Sequence, residues 1–216
     1  MDAPLVSLLT PTFNRREFFP RAVRCFLSQD YPNLELIILD DGTDPIKDLL
    51  LDDPRIKYFY ETSKKNHGEK MNICCERATG EILMVFDDDD WYAPDRVTRQ
   101  AIPFADPAIM VTGTSTLYYY RHNGQQAWQY STPKNVGWLA SIAFRKSHWE
   151  RLRFDSIAAG ADYNLLKKTP AEARCDLNDP ALVCASVHDT NACRKALGNE
   201  YKPVSWGTIK ALIGSL

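Results

Sequence analysis

In residues 83–94, LMVFDDDDWYAP, an apolar run typical of a β-strand ends abruptly in four adjacent carboxylates, Asp87 to Asp90. Adjacent carboxylates repel one another, and Asp is depleted in strands. A folded chain tolerates four of them at the carboxyl end of a buried strand when a cation lies there. Carboxylate oxygens are hard ligands, so we expect Mg²⁺ or Mn²⁺, carrying a polyphosphate, rather than a softer metal.

Two simpler explanations of this acidic cluster remain open at this point. The cluster could be a solvated loop, or one Asp could cap the helix predicted after Pro94. A cap needs one Asp, whereas this stretch has four, so the metal site is favoured.

Composition narrows the class of protein. The chain has 216 residues and a net charge of −2, which gives no electrostatic argument for binding nucleic acid or anionic lipid. None of the six Cys residues forms a C-x-x-C pair, so we expect reduced thiols and no structural zinc. The N-terminus lacks the features of a signal peptide, and no stretch approaches the roughly 20 apolar residues of a membrane span. We therefore predict a cytoplasmic protein and leave a peripheral membrane contact open.

Strands and helices alternate in the first hundred residues. Apolar runs predict strands at 5–9, 34–39, 56–60 and 82–86. An amphipathic stripe predicts a helix formed by Phe19, Ala22, Val23, Phe26 and Leu27. Further helices are predicted at 45–50, after the polar loop 61–68 with Gly80 as its cap, and after Pro94. This alternation predicts an α/β fold with a largely parallel sheet covered by helices on both faces.

Polar signatures follow three of these strands. Thr10, Pro11 and Thr12 break the first strand, Asp40 and Asp41 follow the second, and the acidic cluster follows the fourth. In open α/β sheets the ligand lies at the carboxyl ends of the strands. The fold would therefore gather these distant side chains around one ligand.

The second half of the chain has a different pattern. Short strands are predicted at 109–112, 116–120, 127–130, 141–145 and 182–187, with Asn123-Gly124 as a hairpin turn. Brief helices are predicted near Ser147 and Asp162. We expect one domain over residues 1–216, with halves at about 1–105 and 106–195 and a tail at 196–216 that forms a lid or a loosely held helix.

Five segments resemble a known family: VSLLTPTFNR, LELIILDDGTD, GEILMVFDDDDWYAPDRV, GADYNLL and VHDTN. Their order and spacing are similar to those of the inverting glycosyltransferases of family 2, which have the GT-A fold. The resemblance implies a single GT-A domain, with a Rossmann-like, mostly parallel sheet flanked by helices and a smaller antiparallel sheet on the acceptor side. It also implies transfer of a sugar from a nucleoside diphosphate sugar, usually a UDP-sugar, to a hydroxyl of a glycan, a lipid-linked molecule or another acceptor.

The resemblance assigns roles on the donor side. Pro11, Thr12 and Phe13 would line the nucleotide base pocket, and Asp40, with Asp41 beside it, would hydrogen-bond the base. The remaining donor-side roles fall to Lys70 at the base or phosphates, Asp87 or Asp88 at the ribose, Asp89 at the Mn²⁺ or Mg²⁺ ion, and His188 at the metal or diphosphate. The register of the four Asp residues is open by one position.

The resemblance makes Asp162 the catalytic base, although this residue could instead cap its helix. Ala161 stands where the family commonly has Glu, which affects the acceptor contact more than the base. Asp189 replaces a usual Gly and could stiffen the loop or orient His188. Trp138 lies close to where the family binds its acceptor, and it could equally be a packed core residue.

The sequence is less typical of three other classes of protein. A nucleotidyltransferase usually has a Gly-rich loop after its first strand, whereas this chain has TPTFNRRE. A non-catalytic module that binds nucleotide-sugar or glycan would suit Ala161 but leaves Asp162 and His188 unexplained. A phosphatase with a D-x-D nucleophile usually carries that motif after the first strand rather than the fourth.

Overall fold

The computed structural model describes residues 3–121, 123, 125–132, 139–191, 198 and 200–214. Its strands are β1 Val6–Thr12, β2 Leu34–Asp40, β3 Ile56–Tyr60, β4 Ile82–Val85, β5 Trp91–Tyr92, β6 Val111–Thr114, β7 Thr116–Arg121, β8 Gln126–Ser131, β9 Ala140–Arg145, β10 Arg174–Asp176, β11 Val183–Ser186 and β12 Tyr201–Pro203. Its α-helices are α1 Phe19–Leu27, α2 His67–Arg77, α3 Arg96–Ala101, α4 Lys146–Leu152, α5 Ala161–Lys167 and α6 Trp206–Ile213.

The main sheet has seven strands in the order β10-β6-β9-β4-β1-β2-β3. Neighbouring strands are parallel except where β9 pairs with β4 and β6. The predicted mostly parallel sheet is therefore confirmed. The carboxyl ends of β1, β2 and β4 lie at the same edge, where the polar signatures occur.

Apolar side chains alternate between the two faces of this sheet, as the pleat of a strand requires. Leu8 and Ile38 pack on the face that α1 covers, and their neighbours Leu9 and Ile37 pack on the opposite face. That opposite face is covered by apolar residues of three helices: Met71, Cys74 and Cys75 of α2, Trp149 of α4, and Leu165 and Leu166 of α5. Helices thus cover both faces, as predicted.

The first strand is longer than predicted. β1 continues through Thr10, Pro11 and Thr12, and Thr12 lies opposite Asp40 of β2. Because β4 pairs with β1 only as far as Leu9, Pro11 has a strand on one side only, which is where Pro is tolerated in sheets. The prediction that these residues break the strand was wrong.

Two details of the helices also differ from the prediction. Leu27 of α1 is 40% exposed and does not join the buried stripe. α2 ends at Arg77, so Gly80 is not its cap. A Cβ atom at Gly80 would lie 2.6 Å from the Leu5 carbonyl and from Ser7 Oγ, so the close approach of β1 requires this glycine.

A second sheet has five strands in the order β12-β8-β7-β11-β5, and all neighbours are antiparallel except β7 and β11. The predicted pairing of β7 with β8 is confirmed, although Gly124 of the predicted turn lies outside the described residues. β5 comes from the first half of the chain, and β6, β9 and β10 of the main sheet come from the second half. The two predicted halves therefore contribute strands to both sheets.

The described part of the tail packs onto the second sheet. β12 pairs with β8, and Ile209 of α6 is fully buried. No helix in the described ranges is long and apolar enough to cross a membrane. The cytoplasmic location stays a prediction.

Candidate active site

A cavity of about 900 Å³ opens at the carboxyl ends of β1 and β4. Its walls come from the loop after β1, the start of α2, the acidic cluster, the start of α5 and the loop after β11. It is lined by seven of the predicted site residues: Pro11, Phe13, Lys70, Asp87, Asp88, Asp89 and Asp162. Thr12, Asp41 and His188 contact these lining residues. Asp40 lies deeper and is fully buried.

The centre of this site is a contact between Asp89 and His188, which are 99 residues apart in the chain. His188 Nε2 lies 2.9 Å from Asp89 Oδ2, and Arg15 Nη1 lies 3.8 Å from the same oxygen. Arg21 donates to the Asp89 backbone carbonyl. Although burial opposes ionisation, the His188 hydrogen bond and the charges of Arg15 and Arg21 hold the pKa of Asp89 below its usual value. Asp89 therefore presents an ionised carboxylate to the cavity.

Asp88 differs from its neighbour in both burial and charge. Its residue surface is only 5% exposed. Burial, followed by repulsion from Asp89, raises the pKa of Asp88 to about 7. A proton on Asp88 relieves the repulsion between the two carboxylates, which explains in part how the chain accommodates four adjacent Asp residues.

Aromatic residues on the buried side of the acidic cluster stabilise its conformation. The Asp87 N–H donates to the Tyr92 hydroxyl at 2.7 Å, and the Tyr92 ring packs against Phe86 with centroids 4.2 Å apart. The buried guanidinium of Arg96 lies 4.2 Å from the Tyr92 ring centroid. Asp90 accepts the Ser186 N–H at 2.8 Å and so fastens the cluster to β11. Trp91 and Tyr92, which follow the cluster in sequence, are both buried.

A buried ion pair lies behind the cavity near Phe13. Lys70 Nζ is 2.9 Å from Asp41 Oδ1 and 3.1 Å from the Thr12 carbonyl oxygen. Asp41 also accepts the Lys65 N–H at 2.7 Å, so it links β2 to the loop before α2. Contact of Lys70 with the base or the phosphates stays a prediction.

The carboxylate of Asp40 accepts hydrogen bonds from three groups of the protein itself. It accepts the N–H groups of Gly42 and Ile46 and the hydroxyl of Tyr58, all within 3.0 Å. These contacts give Asp40 a role in holding the turn after β2. Its predicted contact with the base stays a prediction.

Asp162 lies in the first turn of α5 and lines the cavity. The helix begins after Gly160, whose φ of +78° belongs to the left-handed region that favours glycine. No side chain caps this helix, so the structure gives no support to Asp162 as a cap. Ala161 is fully buried in the apolar layer beneath the cavity.

Four further residues contribute to the site and were not predicted: Arg15, Arg21, Thr190 and Asn191. Arg15, Thr190 and Asn191 lie inside two of the segments that carry the family resemblance, and that position was the available signal. Arg21 is on α1, and nothing in its spacing marks it. Asp189 is exposed, and the described hydrogen bonds of His188 go elsewhere, so the proposal that Asp189 orients His188 was wrong. Trp138 lies outside the described residues.

The donor set partly fits a hard divalent cation. The carboxylates of Asp87 and Asp89 are ligand types that Mn²⁺ and Mg²⁺ accept, and the imidazole of His188 is a transition-metal ligand, which favours Mn²⁺. Within the described ranges, no three His, Cys, Asp or Glu side chains are placed to hold an ion by themselves. Mg²⁺ is commonly bound through one or two carboxylates together with substrate phosphates. The site therefore fits an ion that arrives with a polyphosphate.

A sequence profile described as glycosyl transferase family 2 matches residues 7–165, which is more than half of the chain. The chain belongs to this family. The family resemblance inferred from the motifs is thereby confirmed. The matched range contains every predicted site residue except His188.

Individual relatives of family 2 agree with this assignment. A "GalNAc(5)-diNAcBac-PP-undecaprenol beta-1,3-glucosyltransferase" of Campylobacter jejuni is 36% identical over 94 residues, which are 40% of this chain and 30% of that protein. The first curated relatives match this chain over 30 to 42% of their own length.

Solved structures confirm the GT-A fold. A mannosyltransferase of Pyrobaculum calidifontis, in complex with GDP-Man and Mn²⁺, superposes with a TM-score of 0.71 at 18% identity. The superposition includes 89% of this chain and 59% of the mannosyltransferase chain. S. aureus TarS 1-349, in complex with UDP-GlcNAc, superposes with a TM-score of 0.71 at 17% identity. The superposition includes 90% of this chain and 62% of the TarS chain.

Proposed function

We propose that this chain carries the active site of a metal-dependent, inverting glycosyltransferase. It moves a sugar from a nucleoside diphosphate sugar to a hydroxyl acceptor. The observation that carries the proposal is the contact of Asp89 with His188 at the edge of the sheet, in the cavity that Asp162 also lines.

The donor is a UDP-sugar bound along the loop after β1. Support comes from the UDP-GlcNAc complex of TarS, which shares the fold. The mannosyltransferase bound to GDP-Man has the same fold, so the donor test below compares UDP-sugars with GDP-sugars. Phe13, Lys64 and Lys70 line this side of the cavity and offer an aromatic face and positive charge to a nucleotide.

Asp89 and His188 would hold a divalent cation, Mn²⁺ or Mg²⁺, and Asp87 lines the same cavity. When bound, such an ion would supply positive charge that stabilises a departing diphosphate. The low pKa of Asp89 keeps its carboxylate ionised for this task. The Mn²⁺ complex of the mannosyltransferase supports a divalent ion.

Asp162 removes the proton of the attacking hydroxyl. General-base catalysis contributes typically about 10²- to 10⁴-fold to a rate. A single displacement with one base inverts the anomeric centre, whereas retention by double displacement requires a carboxylate nucleophile. The residue next to Asp162 is Ala161, which supplies none.

The acceptor is a hydroxyl on a glycan or on a lipid-linked sugar. The Campylobacter relative, whose name gives a glycan on undecaprenol diphosphate as the molecule that receives glucose, supports the lipid-linked option. A second candidate function is a module that binds a nucleotide-sugar without transfer, which Ala161 favours.

The proposal is tested by hydrolysis of the donor. The purified chain is incubated with UDP-, GDP- and dTDP-sugars and Mn²⁺, and release of the nucleoside diphosphate is followed. We expect Asp89→Asn to lose both hydrolysis and Mn²⁺-dependent UDP binding, and Asp162→Asn to lose hydrolysis while still binding UDP. Asp53→Asn, which removes a surface ion pair with Arg55, is the matched control. Undiminished hydrolysis in Asp162→Asn would exclude this base, and wild-type binding without turnover would support the binding module.

A further inference from the structure

The side chain of His188 is held on three sides. Its ring stacks on Phe18 with centroids 4.4 Å apart and an interplanar angle of 29°. Nε2 faces Asp89 at 2.9 Å, and Nδ1 lies 2.9 Å from the Thr190 hydroxyl. Asn191 Nδ2 also lies 3.0 Å from Nε2, and Arg15 Nη1 lies 3.5 Å from Nδ1. The orientation of the ring is therefore determined by polar contacts at both ring nitrogens and by one stacking contact.

Thr190 is held in turn by Arg15, which approaches from the loop after β1. Arg15 Nη1 donates to Thr190 Oγ1 at 2.8 Å, and Nη2 donates to the Thr190 carbonyl oxygen. Arginine can only donate hydrogen bonds, so the Thr190 hydroxyl acts as acceptor toward it. The hydroxyl keeps one proton and one lone pair, so it can either donate to His188 Nδ1 or accept from it. In both cases the position of Nδ1 is fixed.

Thr190 is exposed, whereas the three side chains around it that carry the contact to Asp89 are largely buried. The side chain of Arg15 is 12% exposed, that of Asp89 is 14% exposed and that of His188 is 17% exposed. The planar fork of Arg15 fits both oxygens of one residue, which a lysine ammonium does not reproduce. The contact joins two loops that are 175 residues apart in the chain.

We propose that Arg15 and Thr190 form a positioning pair that sets the orientation of His188 toward the metal bound at Asp89. This inference rests on the proposed function. Histidine ligands of metals usually have the second ring nitrogen fixed by another protein group, and loss of that group typically lowers metal affinity about 10- to 100-fold. Here the second ring nitrogen meets a hydroxyl, and the hydroxyl is held by an arginine.

The test measures Mn²⁺ binding by calorimetry, with MnCl₂ added to the chain in the presence of UDP. Thr190→Val removes the hydroxyl without changing the charge, and we expect at least about 10-fold weaker Mn²⁺ binding. Thr190→Ser keeps the hydroxyl, and we expect binding close to that of the wild type. Arg15→Lys keeps the charge near Asp89 but loses the fork, and we expect weaker binding again.

Arg16→Lys is the matched control for Arg15→Lys. Arg16 makes its two-point contact with Asp48 on the surface, at 2.7 and 2.6 Å, so we expect unchanged Mn²⁺ binding. Thermal unfolding of each variant confirms that it is folded, and Arg15→Lys tests the pair by itself if Thr190→Val does not fold.

A spectroscopic measurement separates positioning from general support of the loop. In ¹⁵N-labelled protein, we expect Thr190→Val to shift the ring-nitrogen signals of His188 and to leave those of His148 unchanged. His148 contacts Thr169, which is remote in sequence from the pair. Wild-type Mn²⁺ affinity and unshifted His188 signals in Thr190→Val would overturn the positioning pair alone. Absence of Mn²⁺ binding by the wild-type chain with UDP would overturn both this inference and the proposed function.

Discussion

A Cβ atom on Gly68 would lie 1.9 Å from the carbonyl oxygen of Asp155. Gly68 is in the first turn of α2, and its N–H donates to the Ile157 carbonyl at 3.0 Å. The loop that contacts Gly68 leads directly to Gly160 and Asp162. The position of the proposed base therefore depends on how closely this loop approaches α2.

We predict that Gly68→Ala displaces residues 155–160 and with them Asp162. Forcing extra atoms into a close-packed contact typically costs about 1–3 kcal/mol. The rate of donor hydrolysis should fall by more than the loss of unfolding free energy would explain. A small displacement of a catalytic base strongly reduces the rate even in a folded protein. Gly207→Ala in α6 is the control, since its nearest contact is Ser205 Oγ at 3.3 Å. Unchanged hydrolysis in Gly68→Ala would show that the loop position is unimportant.

A second prediction concerns the buried ion pair of Lys70 with Asp41. Lys70→Met leaves the Asp41 side chain, which is 0% exposed, without its cation. Breaking a buried pair in this way typically costs about 3–5 kcal/mol of unfolding free energy, and urea titration measures it. The double variant Lys70→Met with Asp41→Asn should recover part of this loss, because no unpaired charge is left. A double variant no more stable than Lys70→Met would contradict this account.

The third prediction is a pH dependence of stability at Glu35. This buried carboxylate accepts hydrogen bonds from Ser7, Lys57 and Thr79. Although burial opposes ionisation, these bonds lower the pKa of Glu35 below its ordinary value of 4.5. The folded state thus binds this proton less readily than the unfolded state. The stabilisation is complete above pH about 4.5 and is lost as the pH falls through the folded-state pKa.

Glu35→Gln should remove this part of the pH dependence of the unfolding free energy. Urea unfolding at several pH values between about 3 and 6 measures the slope. Asp52→Asn, at an exposed carboxylate in the loop before β3, is the control and should keep the wild-type slope. Equal slopes in the wild type and Glu35→Gln would assign the acid sensitivity to other groups.

The fourth prediction concerns Arg96, whose side chain is completely buried. Its guanidinium donates to the Val85 carbonyl at 2.7 Å, to the Ser141 carbonyl at 3.1 Å and to Gln100 at 2.7 Å. Arg96→Met deprives these acceptors of a donor, at about 1–3 kcal/mol for each group left unsatisfied. We expect a lower melting temperature than for Arg24→Met, which removes an exposed guanidinium of α1. Equal melting temperatures for the two variants would contradict a structural role for Arg96.

The sequence predicted the elements that have a strong period or a sharp boundary. β3 was placed correctly because its apolar run is bounded by polar residues, and α1 because its buried residues recur at helical spacing. The predicted end of β1 before Pro11 was wrong. Proline usually interrupts a strand because it lacks an N–H, but at Pro11 β1 has a neighbouring strand on one side only, so no hydrogen bond is lost. Gly80 was misassigned because the contact that requires a glycine comes from β1, which is distant in the sequence.

The candidate site was predictable where side chains follow strands. Asp89 and His188 were named because the family resemblance marks them, and the topology argument covered Asp89 but not His188. Arg15 and Thr190 were missed because their relationship exists only between two loops, and neither residue type is unusual by itself. The hydrogen bonds that the Asp40 carboxylate accepts from Gly42, Ile46 and Tyr58 likewise form only in the folded turn.

The exchange of strands between the two sheets limits how this protein can be divided. A fragment ending near residue 105 would lack β9, the strand that pairs with β4, and would leave the acidic cluster at an open sheet edge. Unpaired edges promote association with other chains. The two halves of this chain therefore cannot be exchanged independently at mid-chain. A working hybrid must keep β5 and β9 together with the sheets to which they belong.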